Sequence, residues 1–226
     1  RETGDKYPWW SLQPGYPDSL GYWKDAYRLQ GAYANGGLMP WVGGELARGA
    51  LENGREAFGV ELIRQYAAHL RETGGAQVWY FPDGTPGFRT TNEVRYAGWG
   101  MAQWVDALVE GVAGIRDTDA AMRRVEISPR WAAAGVSGAR ATSRYAASGG
   151  YFSYAWKTGP RWLEMAYSGS GEQARFRLLL PRGFQALAVT VDGADVKFDR
   201  EDAGGSAYIR FEAANAQRGV IRVIAQ

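Results

Sequence analysis

Residues 90–115 read TTNEVRYAGWGMAQWVDALVEGVAGI. The stretch opens as a polar turn carrying one carboxylate, Glu93. It closes as an apolar helix with Trp99, Met101, Trp104, Val105, Leu108, Val109 and Val112. A carboxylate on a loop that rigid helices hold in place is suited to acid–base chemistry. The same helix marks a change of pattern. Upstream, apolar residues recur at helical spacing; downstream, they alternate as in strands.

Working upstream, residues 75–95 form a loop with turns at Pro82-Asp83-Gly84 and Pro86-Gly87. A loop of this length in a compact chain is uncommon unless it builds a site. Phe58, Leu62, Tyr66 and Leu70 recur every fourth residue and Ile63 widens the stripe, predicting a helix from about Arg55 to Glu72. A preceding helix is predicted from Pro40, suited to a first turn, to about Glu52, where Asn53-Gly54 stops it. The link between the two is short, as in an antiparallel helical hairpin. GAYANGG at 31–37 is a turn, and Pro8, Pro14 and Pro17 exclude long helices before it.

Downstream, the runs RVEIS, GYFSYAW, RWLEMAYS, ARFRLLLP, ALAVTV, DVKF, SAYIRF and GVIRVIA all read as strands. Asp192-Gly193 falls where a hairpin turn is needed. Eight or nine short strands in this part imply an antiparallel β-sandwich. The expected organisation is thus α+β in two parts, helices over residues 1–118 and a sandwich over 119–226.

Composition narrows the function. The net charge of +2 includes no long basic run, which argues against nucleic acid as a partner. No apolar run is long enough for a helix to cross a membrane. With no Cys there is neither a disulfide nor a thiolate metal site, and with His69 as the single His there is no multi-histidine metal site. No metal and no organic cofactor are expected. The chain opens RETGDKYPWW without Met, and is read as a piece of something longer. Ten Trp and thirteen Tyr supply flat apolar faces with polar edges. Such rings either fill a core or stack on sugars.

Three segments resemble parts of the (α/α)6-barrel glycoside hydrolases. GAYANGGLMPW is similar to their Tyr-x-Asn-Gly-Gly plus Trp segment. LVEGVAGIR followed by RRVEISPRW resembles the barrel-to-sandwich junction of α-L-rhamnosidases and of the cellobiose-phosphorylase group. NEVRY resembles the loop that carries the general base in processing α-glucosidases and trehalases, although Glu93-x-x-Tyr96 is one residue longer than the usual spacing. The resemblance implies a partial (α/α)6-type helical barrel followed by its C-terminal sandwich. It implies inverting hydrolysis of a glycoside or oligosaccharide, with Glu93 as the base. The general acid would come from an upstream part of the same enzyme, or from Asp18 or Asp25. In inverting enzymes the two carboxyl groups stand about 6.5–9.5 Å apart to admit a water.

Each candidate residue also has a purely structural reading. Glu93 would cap the following helix or pair with Arg89 or Arg95; the same arginines would keep a base ionised. Glu45 is either a favourable charge near a helix N-terminus or an acceptor for a sugar hydroxyl. Asn35 belongs to a turn or lines a subsite. Trp10, Trp41, Trp99 and Tyr96 are stacking candidates or plain core. Trp79 and Tyr80 are a candidate rim, and Trp104 is core. His69 is expected partly exposed near a helix C-terminus, with no chemistry. Tyr154 and Trp156 alternate with Ser153 and Ala155, and that aromatic face is expected to point inward. The alternative function is a non-catalytic carbohydrate-binding or structural sandwich, and a third is a glycoside phosphorylase.

Overall fold

The computed structural model describes residues 6, 7, 10–12, 15–17, 19, 30–87, 96, 98–213 and 215–225. Three α-helices are followed by two β-sheets, and the chain divides into two compact units. One unit comprises residues 1–49 and 61–107; the other comprises 50–60 and 108–226.

The helices are α1 (Pro40–Glu52), α2 (Glu56–Thr73) and α3 (Gly98–Asp106). α1 has the limits its sequence predicts, because Pro40 fits a first turn and Gly54, at φ 76°, takes the left-handed conformation that ends it. Downstream of α3 the chain winds as a π-helix over Ala107–Val112, where Ala113 N–H reaches back to the carbonyl of Leu108. That extra residue per turn shifts the apolar stripe. Trp104 and Val112 are buried, whereas Trp99, Val105 and Leu108 are exposed.

Three strands open the second part, β1 (Ile115–Asp117), β2 (Arg124–Ile127) and β3 (Gly138–Arg144). β4 (Tyr151–Gly159), β5 (Trp162–Gly169), β6 (Gln173–Leu179) and β7 (Ala186–Val191) follow. The last four are β8 (Ala194–Asp195), β9 (Asp199–Ala203), β10 (Ser206–Ala213) and β11 (Arg218–Ala225). One sheet runs β1-β2-β6-β10-β9 and the other β3-β4-β5-β11-β7-β8. The six-stranded sheet is antiparallel throughout. In the five-stranded sheet β2 and β6 run parallel, which corrects the expectation of a wholly antiparallel arrangement. Between them the chain forms three strands of the other sheet, so it returns running the way it left. Asp192 and Gly193, at φ 52° and 82°, make the tight β7–β8 turn where the sequence requires one.

Period-two burial in β4, β5, β6 and β11 sends one set of side chains into a single core shared by both sheets. Phe152, Tyr154 and Trp156 of β4 all point into it, as their alternation predicts. Tyr167 packs on Phe176 across the sheets, with ring centroids 5.1 Å apart. Each such fully buried side chain contributes about 1.5–3 kcal/mol relative to exposure. Tyr154 keeps its hydroxyl paired: it donates to the carbonyl of Ala113 at 2.6 Å and accepts from Trp131 Nε1 at 2.7 Å. Gly114, at φ 63°, makes the turn into β1. A Cβ there would meet the Ser128 carbonyl oxygen at 1.9 Å, so only glycine fits.

Candidate functional site

In the helical unit, short segments are laced into an irregular platform. Leu38 bridges both Ser11 and Tyr80, Tyr80 bridges Pro86, and Gln77 bridges Tyr96. Gly87 N–H donates to the carbonyl of Trp79 at 3.0 Å. Gly87 thus lies beside Trp79, and Tyr96 beside Gln77. Residues 88–95, including Glu93, Arg89 and Arg95, lie outside the described residues, as do Trp9, Asp18 and Asp25.

The segment 31–37 is a tight turn closed by its own backbone. Gly31 N–H donates to the carbonyl of Asn35 at 2.7 Å, and Gly37 N–H to that of Tyr33 at 2.9 Å. Tyr33 holds φ 43°, a left-handed conformation that costs a residue with a side chain about 1 kcal/mol. Asn35 is buried and uses its amide on the backbone of Tyr16: Oδ1 accepts from the N–H at 2.5 Å and Nδ2 donates to the carbonyl at 3.0 Å. Trp41 is partly buried against a cluster of Ala32, Met39 and Trp79. Glu45 is exposed and pairs with Arg48 one turn on, at 2.8 Å.

Trp10 is fully buried in an aromatic box. It stacks on Tyr7 at 4.4 Å and meets Trp104 edge-on at 5.4 Å, while Tyr66 stacks on Trp104 at 4.3 Å. Gly43 of α1 permits this: a Cβ would stand 2.6 Å from Trp10 and 2.8 Å from Trp104. Trp79 and Tyr80 are also buried and so form no rim. Trp79 packs against Phe81 at 4.7 Å, and the backbone at Gly87 lies close against its indole. By contrast Tyr96 and Trp99 each keep 55% of their surface exposed. Among the described residues of this unit, Trp99 is the most exposed tryptophan.

His69 corrects the expectation of partial exposure. It is wholly buried, with Tyr80 at 4.3 Å and Tyr7 at 4.9 Å, because it lies on the inward face of α2. Burial first, then Lys6, pull its pKa down to about 4, against the weaker pull of Glu72, which lies 3.9 Å from Nδ1. The unfolded chain, with an ordinary imidazole near 6.5, therefore takes up the proton first as pH falls. Stability from this group is complete above pH 6.5 and declines as pH drops toward 4, by about 3 kcal/mol in all. Urea unfolding at stepped pH is expected to show that decline, and His69→Phe to remove most of it.

A second polar cluster, in the other unit, escapes any sequence reading. Glu56, in the first turn of α2, is buried with its carboxylate between two hydroxyls. Ser206 Oγ donates to Oε2 at 2.6 Å, and Tyr208 Oη donates to Oε1. Burial, then the Glu56 contact, push the Tyr208 phenol up to about 12 against the opposing pull of Arg130. The Arg177 guanidinium lies over the Tyr208 ring, 3.6 Å from its centroid, and donates to Glu201 Oε1 from Nε at 3.0 Å and Nη2 at 2.7 Å. Glu56 reads locally as an ordinary first-turn carboxylate. Tyr208 is 152 residues away, and no spacing signals the pair.

No family model matches this sequence. No curated protein matches it either. Among solved structures, it has a distant likeness to a GH127 β-L-arabinofuranosidase of Geobacillus stearothermophilus T6. Identity is 12% and the TM-score 0.37, over 84% of this chain and 32% of that one. A second likeness is to an uncharacterised protein of Listeria monocytogenes EGD-e crystallised with α-D-glucose, β-D-glucose, magnesium and calcium. There identity is 12% and the TM-score 0.33, over 45% of this chain and 10% of that one. The chain thus spans about a third and about a tenth of the lengths of these two proteins.

Proposed function

We propose that this chain is the C-terminal portion of a glycoside hydrolase with a partial (α/α)-barrel over residues 1–118 and a sandwich over 119–226. It supplies one wall of a sugar pocket and the general base, Glu93, for inverting hydrolysis. An upstream segment of the same enzyme supplies the general acid. The observation that carries the reading is the exposure of Tyr96 and Trp99, three and six residues after Glu93 in the sequence, while Trp10, Trp79 and Trp104 are buried. An exposed ring with an apolar face and a polar edge, close in sequence to a carboxylate, suits a sugar. The resemblance of the 31–41, 92–96 and 108–131 segments points the same way. Val105 and Leu108 add exposed apolar groups at helical spacing, the kind of face a neighbouring barrel helix covers. Asn35, Trp41 and Glu45 are assigned to the same pocket as further sugar contacts. Trp10, fully buried among Tyr7, Tyr66 and Trp104, serves the core of the helical unit.

Titration of oligosaccharides into the chain in its complete reading frame tests the pocket. Trp99→Ala and Tyr96→Ala are each expected to weaken binding about tenfold, the worth of one aromatic stacking face. Unchanged affinity in both variants would refute the pocket.

A further inference from the structure

A cavity of about 260 Å³ opens in the sandwich unit among Glu52, Arg116, Glu126, Arg130, Arg177, Glu201 and Arg210. Four guanidinium groups line it against three carboxylates. Arg116 pairs with Glu126 at 3.0 Å. Glu201 is shared: Arg177 binds it at 2.7 Å, Arg210 stands 3.5 Å from its other oxygen, and Arg130 adds a third positive field. Together they hold its carboxyl below the usual range, with the Arg177 hydrogen bonds as the largest cause.

Arg130 is the unusual member. It is 2% exposed, yet among the described residues no carboxylate lies within ion-pair distance of it. Its Nη1 donates to the carbonyls of Gly111 at 2.7 Å, Ser128 at 3.1 Å and Glu110 at 3.4 Å. Its Nε is buried with no acceptor. Carbonyl dipoles orient a guanidinium, but they do not neutralise its charge. A buried cation left so is costly, and a charge-assisted hydrogen bond to an anion offsets that cost.

We propose that this cavity is a binding site for a small oxyanion of the phosphate class, held by Arg130 and Arg210 with Arg116 and Arg177 beside them. Guanidinium groups match the paired oxygens of such an anion better than any other side chain. A tetrahedral oxyanion fits the volume, and the surplus of positive charge attracts it from solution. The site is independent of Glu93 and of the Tyr96–Trp99 platform.

Calorimetry of the full chain with sodium phosphate, at constant ionic strength set by chloride, tests the assignment. Saturable binding is expected, with sulfate competing and chloride not. Glucose 6-phosphate separates two sources of the same group: tighter binding than phosphate identifies a phosphorylated sugar, and equal binding identifies the free anion. Arg130→Met is expected to abolish binding. Arg210→Gln, at a position where the side chain keeps 57% of its surface exposed, is expected to weaken it about tenfold and keeps the test valid if Arg130→Met does not fold. Absence of saturable phosphate binding, or identical binding by Arg210→Gln, overturns the proposal. Either result leaves glycoside turnover and oligosaccharide binding unaffected, so the two readings fail separately.

Discussion

Glu93→Gln is expected to lower glycoside turnover by about 10²–10⁴-fold, the span that one positioned general base supplies. Glutamine keeps the size and one carbonyl acceptor of glutamate but cannot take a proton from water. Ground-state contacts therefore persist and KM changes little, while kcat falls with kcat/KM. The pH profile provides a second readout. In the parent enzyme the acidic limb reports ionisation of the base, and that limb should disappear in the variant. In the proposed role, Arg89 and Arg95, four residues before and two after Glu93 in the sequence, would favour the ionised form a base needs. The assay requires the complete reading frame, because the general acid is assigned to an upstream segment. Near-normal turnover would remove Glu93 from the mechanism.

The second large effect concerns stability. Glu56→Ala is expected to cost about 3 kcal/mol in urea unfolding. The loss has two parts. The buried Tyr208 hydroxyl and the Ser206 hydroxyl lose their shared acceptor. The side chain also leaves a gap beneath α2 that its neighbours fill only in part. Glu56→Gln retains an acceptor and should cost about 1 kcal/mol. Tyr208→Phe combined with Glu56→Ala should cost less than the two single changes added together, since both delete one interaction. Strict additivity would show that the contact contributes nothing to folding.

Much of the architecture is legible because it rests on local pattern. α1 begins and ends where proline and glycine chemistry place it. The buried strands β4, β5, β6 and β11 alternate so strongly that their existence and inward face follow from the order of residues. The strands that escape such reading are β1, β3 and β9, and each lies at the edge of its sheet. An edge strand has one hydrogen-bonded neighbour and little core to cover. β3 is therefore GARATSR and β9 is DREDA, neither with a run of apolar alternation. The π-turn after α3, over Ala107–Val112, leaves no mark in the sequence either.

The candidate site divides in the same way. Asn35 in its turn follows from local turn chemistry, whereas Glu45 lies beyond the first turn of α1 and pairs with Arg48. The aromatic side chains do not declare their roles, since an indole suits a core and a sugar equally. Burial separates Trp10, Trp79 and Trp104 from Trp99, and burial is a sum over neighbours distant in the chain. His69 shows the same limit. Its position late in α2 indicates a helix end, while its environment comes from Tyr7, Trp10 and Tyr80.

By itself, the order of residues determined three helices, most of the strands, their turns and the inward face of the sandwich, because dihedral preference and hydrophobic period act over a few residues. Only the tertiary structure decided that β2 and β6 run parallel, that Glu56 is clasped by Ser206 and Tyr208, and that Arg130 is buried against backbone carbonyls. Those outcomes depend on which distant segments share a solvent-free space, where a charge must find its partner among whatever the fold brings near.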